Sequence, residues 1–400
     1  MKALLLSNEF PPYVYGGAGV HVEYLSRELA KLIPTEVRCF GDQDSSEGNL
    51  TVKGHAPSLE FPEDGDDRFK SIFKTLDHCE SFAKTPVDAE IVHCHTWYTH
   101  FAGLLCKKLY GSKLVVTTHS LEPLRPWKSE QLGNGYNMSS WIEKTAIESA
   151  DLVIAVSKDT RDDVRKHFTV DEDKIQIIHN GIDTKEYVKT LDPDLMQSLG
   201  IDPDRPIVLF VGRITRQKGI IHLVNAIPNI DPSAQVVLAA GAPDTPEIAA
   251  EMKEAVERVS ADREGVIWLS DMLDKETIIK LYSHADVFCC PSIYEPFGII
   301  NLEAMSCETA VVASEVGGIK EVVVPHETGF LVPLYQMDEA PYEPVNPAAF
   351  SDDLAVSVNR LIQDPELRKK MEKAGRQRAL DEFSWTSIAE KTVEAFRSLL

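Results

Sequence analysis

What the chain has little of already excludes several classes of function. No apolar run approaches the ~18 residues of a membrane-crossing helix. The amino-terminal "MKALLLSNEFPP" meets Asn8 and Glu9 too early to hold a secretory signal's apolar segment. The cytoplasm is therefore the expected compartment, with no membrane partner. Positive charge is scarce: 41 Lys and Arg stand against 63 Asp and Glu, a net charge of −22. A field of that sign disfavours nucleic acid and anionic lipid as partners. A phosphorylated small molecule stays compatible if its pocket is locally basic. The seven cysteines are odd in number and irregularly spaced, so they form no disulfide framework. Cys289 and Cys290 lie in an apolar run and read as buried free thiols. His93, His95, His100 and His119 have no acid at ligand spacing and no Cys-x-x-Cys beside them, so no metal site is expected.

What is present is a regular alternation. Strand patterns occur at "KALLLSN", "EVRCF", "EIVHC", "KLVVTTH", "DLVIAVS" and "KIQIIHN", with helical spacing between them, as in "VHVEYLSRELAKLI". Residues 42–70 are acidic and rich in Gly and Pro and read as a surface excursion. The texture loosens over 181–205, which reads as a linker, and the alternation then restarts at "PIVLFVG", "AQVVLAAG", "GVIWLS", "DVFCCPS", "AVVASEV" and "TGFLVPL". Such alternation predicts βαβ units. The expected fold is α/β: two Rossmann-like domains, residues 1–190 and 191–380, facing each other across a cleft, with ligands at the carboxyl ends of the strands. A helix within 381–400, apolar on one face, is expected to cross back to the first domain.

Four groups of residues carry candidate chemistry. Gly16 and Gly17 follow a strand and open a helix; they suit either a tight turn or a backbone that approaches an anionic or polyol ligand. Arg213 and Lys218 in "VGRITRQKG" supply the local positive charge that a diphosphate requires, a planar fork and a point charge; solvated surface cations are the plain alternative. His95 and His119 near strand ends read as polar contacts to a sugar or acceptor, with a structural role for His95 equally open. In "PSIYEPFGIINLEAM", Glu295 precedes a helix and Glu303 sits a turn inside it, so they do not share a face as paired catalytic carboxylates. Gly298, Ile299 and Ile300 would present first-turn N–H groups to a phosphate. Hydrogen bonding to sugar hydroxyls is one reading of the two acids; a capping acid plus a surface glutamate is the other.

Together these motifs carry a resemblance. With "EFPPYVYGGAGVHV", "HCHTWYTH", "THSLEPLRPWK", "HNGID", "AAGAPDTPEIAAE" and "VVASEVGGIKEVV", the chain resembles the retaining glycosyltransferases of family 4, of GT-B fold, over nearly its whole length. Within them it is similar to the short bacterial glycogen synthases and maltose-1-phosphate synthases. The resemblance implies a first domain that binds the acceptor and a second that binds the nucleotide sugar. It places Glu303 on the donor ribose, Glu295 near the donor hexose, and Phe297 to Ile300 along sugar and diphosphate. Arg213 and Lys218 would neutralise the leaving diphosphate, Gly16 and Gly17 would lie near the phosphates, and His119 at the reacting sugar. Neither metal nor cofactor is implied.

The acceptor pocket then falls to Arg125, Trp127, Lys128 and His95: an aromatic for a sugar face, cations for a phosphorylated acceptor. Glucan elongation is the first expectation, with transfer to glucose 1-phosphate the alternative. ADP-glucose is favoured over UDP-glucose by the resemblance alone, and a homo-oligomer is compatible with it. The chain departs from longer relatives at His95-Thr96-Trp97, where an acid is absent, and at Tyr15, and from the family pattern at Glu308 and Ala310, where Gly and Pro are expected.

Overall fold

The computed structural model describes every residue except Tyr15, Leu59 and residues 338–341, and it leaves the side chains of 130 and 131 undescribed. Two compact units divide the chain: Met1–Gly181 together with Trp385–Leu400, and Ile182–Ser384. Both are mixed α/β and Rossmann-like.

In the first unit the strands are β1 (Ala3–Ser7), β2 (Thr35–Phe40), β3 (Asp44–Glu47), β4 (Leu50–His55), β5 (Ile91–His95), β6 (Lys113–Thr118), β7 (Leu152–Ala155) and β8 (Ile175–Ile177). They lie in the order β3-β4-β2-β1-β5-β6-β7-β8, and only the β3–β4 pair is antiparallel. All five β1 residues are buried, the continuous apolar run of a strand covered on both faces. In register, Leu5 faces Val37 on one side and His93 on the other. The strand order reverses between β1 and β5, so their carboxyl ends open a crevice where such sheets bind ligands.

The second unit holds β9 (Ile207–Arg213), β10 (Gln235–Gly241), β11 (Val266–Leu269), β12 (Val287–Cys290), β13 (Ala310–Ser314) and β14 (Gly329–Val332). Their order is β11-β10-β9-β12-β13-β14, parallel throughout. Here the order reverses between β9 and β12, paired through Val208 and Val287. One face packs Val208, Phe210, Leu238 and Val312 against helical residues such as Met252, Val259, Leu354 and Leu361 in one core.

The helix Trp385–Arg397 belongs to the first unit. Trp385, Ile388, Val393 and Phe396 share a core with Leu5, Val22 and Leu25, and the Trp385 ring stacks on Tyr24 at 5.9 Å. Burying a large apolar side chain contributes about 1.5–3 kcal/mol, so four of them hold this helix firmly.

Two expectations need correction. Residues 42–70 are not merely an excursion, because β3 and β4 extend the sheet within them. Every β3 residue is exposed and β4 buries only Val52. Polar, exposed strands of this kind suit a sheet edge, but they leave no apolar alternation to read. Nor is 181–205 a free linker. It contains the helix Pro193–Ser198, and its backbone is tied to the second unit through Thr190 N–H to Ser283 Oγ (2.9 Å) and Asp192 N–H to His284 Nε2 (2.7 Å). The departure noted at Tyr15 lies outside the described residues. All seven cysteines are buried free thiols. Among the described residues no helix is long and apolar enough to cross a membrane.

Candidate active site

The switch point of the second unit assembles the basic and acidic residues. Arg213 ends β9, and its Nη1 donates to Asp244 Oδ1 at 3.1 Å. Lys218 follows in the same loop, and its Nζ lies 2.6 Å from Glu295 Oε2, on the segment leaving β12. Ser292 Oγ donates to the same oxygen at 3.3 Å. Burial by itself would lower the Lys218 ammonium; the neighbouring Glu295 carboxylate outweighs it and holds the group above the ordinary lysine value. Lys218 therefore stays charged.

Between the two glutamates the chain turns into the helix Ile299–Ser306. Gly298 caps it with φ +99°, and a Cβ there would meet Asn301 Nδ2 at 2.7 Å. Phe297 is buried, its ring edge against Phe383, so only its backbone can address a ligand. Ile299 and Ile300 are half-buried, and first-turn N–H groups are not consumed by intrahelical bonds.

Both glutamates are buried, Glu295 at 7% and Glu303 at 8% exposure, which removes the reading of Glu303 as a surface acid. Tyr282 donates its phenol to Glu303 Oε2 at 2.9 Å, and the Tyr187 phenol lies beside the same carboxylate. Burial raises the Glu303 carboxyl above its usual range, against the phenols and the fields of Lys218 and Lys275.

In the first unit the histidines cluster. His119 follows β6 and its Nε2 lies 2.9 Å from Nδ1 of His95, the last residue of β5. His95 is fully buried, with its Nδ1 against His119. His21, on the helix Gly17–Ala30, pairs its Nδ1 with Asn180 Oδ1 at 2.6 Å. Its ring meets that of His119 edge-on at 4.6 Å. One ring nitrogen from each of His21, His95 and His119 lies within 4.8 Å of the others. This is the grouping, among the described residues, nearest to a metal-binding set, although no carboxylate completes it. Burial depresses the basicity of His119 and His95 well below the ordinary imidazole value, with neighbouring histidines adding to it. These rings are neutral.

The glycine loop holds a carboxylate already: Gly16 N–H donates to Glu9 Oε2 at 2.7 Å. Gly17 is exposed beside it. Beyond His119, Arg125 Nη1 donates to Ser120 Oγ at 2.9 Å and lies 4.0 Å from Glu122 Oε1. Glu122 is anchored in turn, its N–H to Glu143 Oε2 (2.7 Å) and its Oε2 to Ser139 Oγ (2.6 Å). Burial, with the adjacent Glu122, pushes the Glu143 carboxyl well above the usual range. Lys128 is half-buried at the start of a short helix. Trp127 is 6% exposed; a large ring gains more from burial than from water.

Several residues of the site escaped the motifs: Glu9, His21, Asp244, Tyr187, Tyr282, and the pair Gly317-Gly318. A Cβ on Gly317 (φ +50°) would stand 2.0 Å from the Glu295 carbonyl oxygen, and Gly318 N–H bonds that oxygen at 3.0 Å. The Gly-Gly pair in "SEVGGIKE" was the available signal.

Comparison with known proteins agrees with this geometry. Residues 15–186 match the family model Glycosyltransferase Family 4, and residues 192–341 match Glycosyl transferases group 1. The chain is 46% identical to an alpha-maltose-1-phosphate synthase of Mycolicibacterium smegmatis, over 100% of both chains. It is 26% identical to a glycogen synthase of Mycobacterium tuberculosis, over 99% of this chain and 94% of that one. Among solved structures it is similar to a sucrose-phosphate synthase from Thermosynechococcus elongatus, with TM-score 0.78 and 24% identity over 100% and 99% of the two chains.

Proposed function

Because the chain belongs to the retaining GT-B glycosyltransferases of family 4, we propose that it transfers glucose from a nucleotide-diphosphate glucose to glucose 1-phosphate, forming maltose 1-phosphate. The coarser activity, transfer of glucose from a nucleotide sugar to a sugar acceptor, follows from the family. The acceptor is carried by one observation: full-length identity is 46% to a maltose-1-phosphate synthase against 26% to a glycogen synthase. This reverses the order expected from the motifs alone, which put glucan elongation first, because both branches share the donor chemistry those motifs describe.

In this reading the second unit holds the donor. Glu303 accepts from the ribose and Glu295 from the hexose, while the backbone from Phe297 to Ile300 follows sugar and diphosphate. Arg213 and Lys218 stabilise the negative charge that grows on the diphosphate as the anomeric C–O bond breaks. The acceptor's 4-hydroxyl forms the new bond on the same face and gives its proton to the departing phosphate oxygen. Positioning and charge neutralisation supply most of the acceleration. His119, neutral, serves the reacting sugar as a hydrogen-bonding group and not as a cation. Gly16 and Gly17, with Glu9 already beside them, suit a hydroxyl-bearing ligand better than a second anion. Arg125 and Lys128 take the acceptor phosphate, where a guanidinium fixed by Ser120 is suited to an oxyanion. ADP-glucose is our choice of donor.

The test supplies purified protein with ADP-glucose or UDP-glucose and either glucose 1-phosphate or glycogen, following nucleotide release and identifying the sugar product. Maltose 1-phosphate formed much faster than extended glucan supports the proposal. The opposite ratio returns the chain to glucan synthesis, and no transfer with any pairing rejects both.

A further inference from the structure

Two phenols face Glu303: Tyr282 donates to Oε2 at 2.9 Å, and the Tyr187 phenol lies beside the same carboxylate. The rings are buried, at 0% and 4% exposure, while Glu303 keeps 8%. Their anchoring is specific to the helix that carries Glu303. Arg376 Nη1 donates to the carbonyls of Tyr187 (2.9 Å) and of Ser306, at the end of that helix (2.8 Å), and its Nη2 to that of Thr184 (2.9 Å). Thr309, just beyond the same helix, donates its hydroxyl to the Tyr282 carbonyl. Three separate segments thus converge on one carboxylate.

An ionised carboxylate only accepts, and its two oxygens offer about four lone-pair directions. Tyr282 fills one of them, and Tyr187 stands in reach of a second. A buried acid of this kind needs the rest satisfied as well, or it retains a desolvation cost. Burial and the Glu303 charge raise both phenols above the ordinary tyrosine value, so each remains a donor at neutral pH.

We propose that Tyr187 and Tyr282 are positioning residues for the nucleotide. They hold Glu303 as an acceptor whose two remaining directions take the vicinal 2′- and 3′-hydroxyls of a ribose. The inference rests on the reading of Glu303 as the acid that meets the donor ribose, and it adds how that acid is aimed and why the sugar must be a ribonucleotide. Tyr187 comes from the stretch that sequence texture assigns to a linker, so this stretch forms part of the donor site.

The full-length Tyr187→Phe, Tyr282→Phe and double variants separate positioning from packing, because phenylalanine keeps the ring and removes only the donor. Calorimetry would measure ADP and UDP against their 2′,3′-dideoxy forms. Wild type is expected to prefer the ribonucleotide by about tenfold or more, as a site built for a hydroxyl rejects its absence. Each single variant is expected to reduce that preference by about three- to tenfold, and the double variant to bring it near unity. Thermal unfolding of each variant should confirm an intact fold. A preference unchanged in the double variant overturns the proposal, as does a wild type indifferent to the ribose hydroxyls. Failure to form maltose 1-phosphate would reject the acceptor assignment yet leave the ribose measurement standing. Binding of neither nucleotide would reject the donor assignment and this inference with it.

Discussion

Lys218 Nζ and Glu295 Oε2 stand 2.6 Å apart, joining the loop after β9 to the loop after β12 across the point where strand order reverses. Two groups that the motifs present as separate contacts are one charge-assisted pair. In the proposed reaction Lys218 exchanges part of that contact for the diphosphate. Lys218→Ala should lower kcat by at least ~100-fold at saturating donor, the scale of a lost transition-state charge contact. Steady-state nucleotide release measures it, and near-wild-type turnover would contradict the assignment. Because the two residues touch, the loss in Lys218→Ala/Glu295→Gln should fall short of the sum of the single losses.

Arg125 tests the acceptor. Its guanidinium is fixed by Ser120 and lies 4.0 Å from the Glu122 carboxylate. Arg125→Ala should raise KM for glucose 1-phosphate by about tenfold or more, as expected for a lost charged hydrogen bond, and leave donor KM little changed. Arg125→Lys should recover part of it, since the charge returns without the fork. An equal rise for both substrates would point to a disturbed fold.

Backbone strain makes Gly317 a sharp probe. Its φ of +50° is unfavourable for other residues, and an added Cβ would sit 2.0 Å from the carbonyl oxygen of Glu295. Gly317→Ala should cost at least about 1–3 kcal/mol of stability and displace Glu295, so turnover falls along with the denaturation midpoint. An alanine variant of unchanged stability and activity would refute this packing.

Acid should weaken the first unit through its buried histidines. Burial lowers His21 to about 4, and His93 and His100 to about 3. The unfolded chain takes up protons on these rings near the ordinary value of about 6.5, while the folded chain does not. The unfolded state then binds more protons, so stability falls as pH drops below that value, by up to ~1.4 kcal/mol per pH unit for each histidine. The neutral-ring contribution is fully present above pH ~6.5 and declines down to the folded values. Calorimetric melting from pH 7.5 to 5 would show Tm falling with pH; a flat profile would mean these rings are charged when folded.

Much of the fold was legible because most of its strands are buried on both faces. "KALLLSN" and "DVFCCPS" announce themselves as apolar runs, and the residues that close the turns after them lie next to them in sequence. Arg213, Lys218, Gly298, Glu295 and Glu303 could therefore be named from local pattern. What could not be read is what meets them from elsewhere. His21 beside His119 and Tyr187 against Glu303 are contacts between elements far apart in sequence, with no periodicity to betray them. β3 and β4 escaped for a different reason: an exposed edge strand buries too little to leave an apolar signature. The burial of Trp127 and His95 was not legible either, because composition says what a side chain can do, not whether solvent reaches it.

The sequence by itself determined the two α/β units, the basic loop, the glutamate pair and the family, since each is a matter of local spacing. The tertiary structure alone decided that Lys218 and Glu295 are partners, that Glu303 accepts from the Tyr282 phenol, and that His95 lies against His119. Those relations depend on strand order and burial, which bring distant residues within hydrogen-bond reach and remove the water that would otherwise screen them.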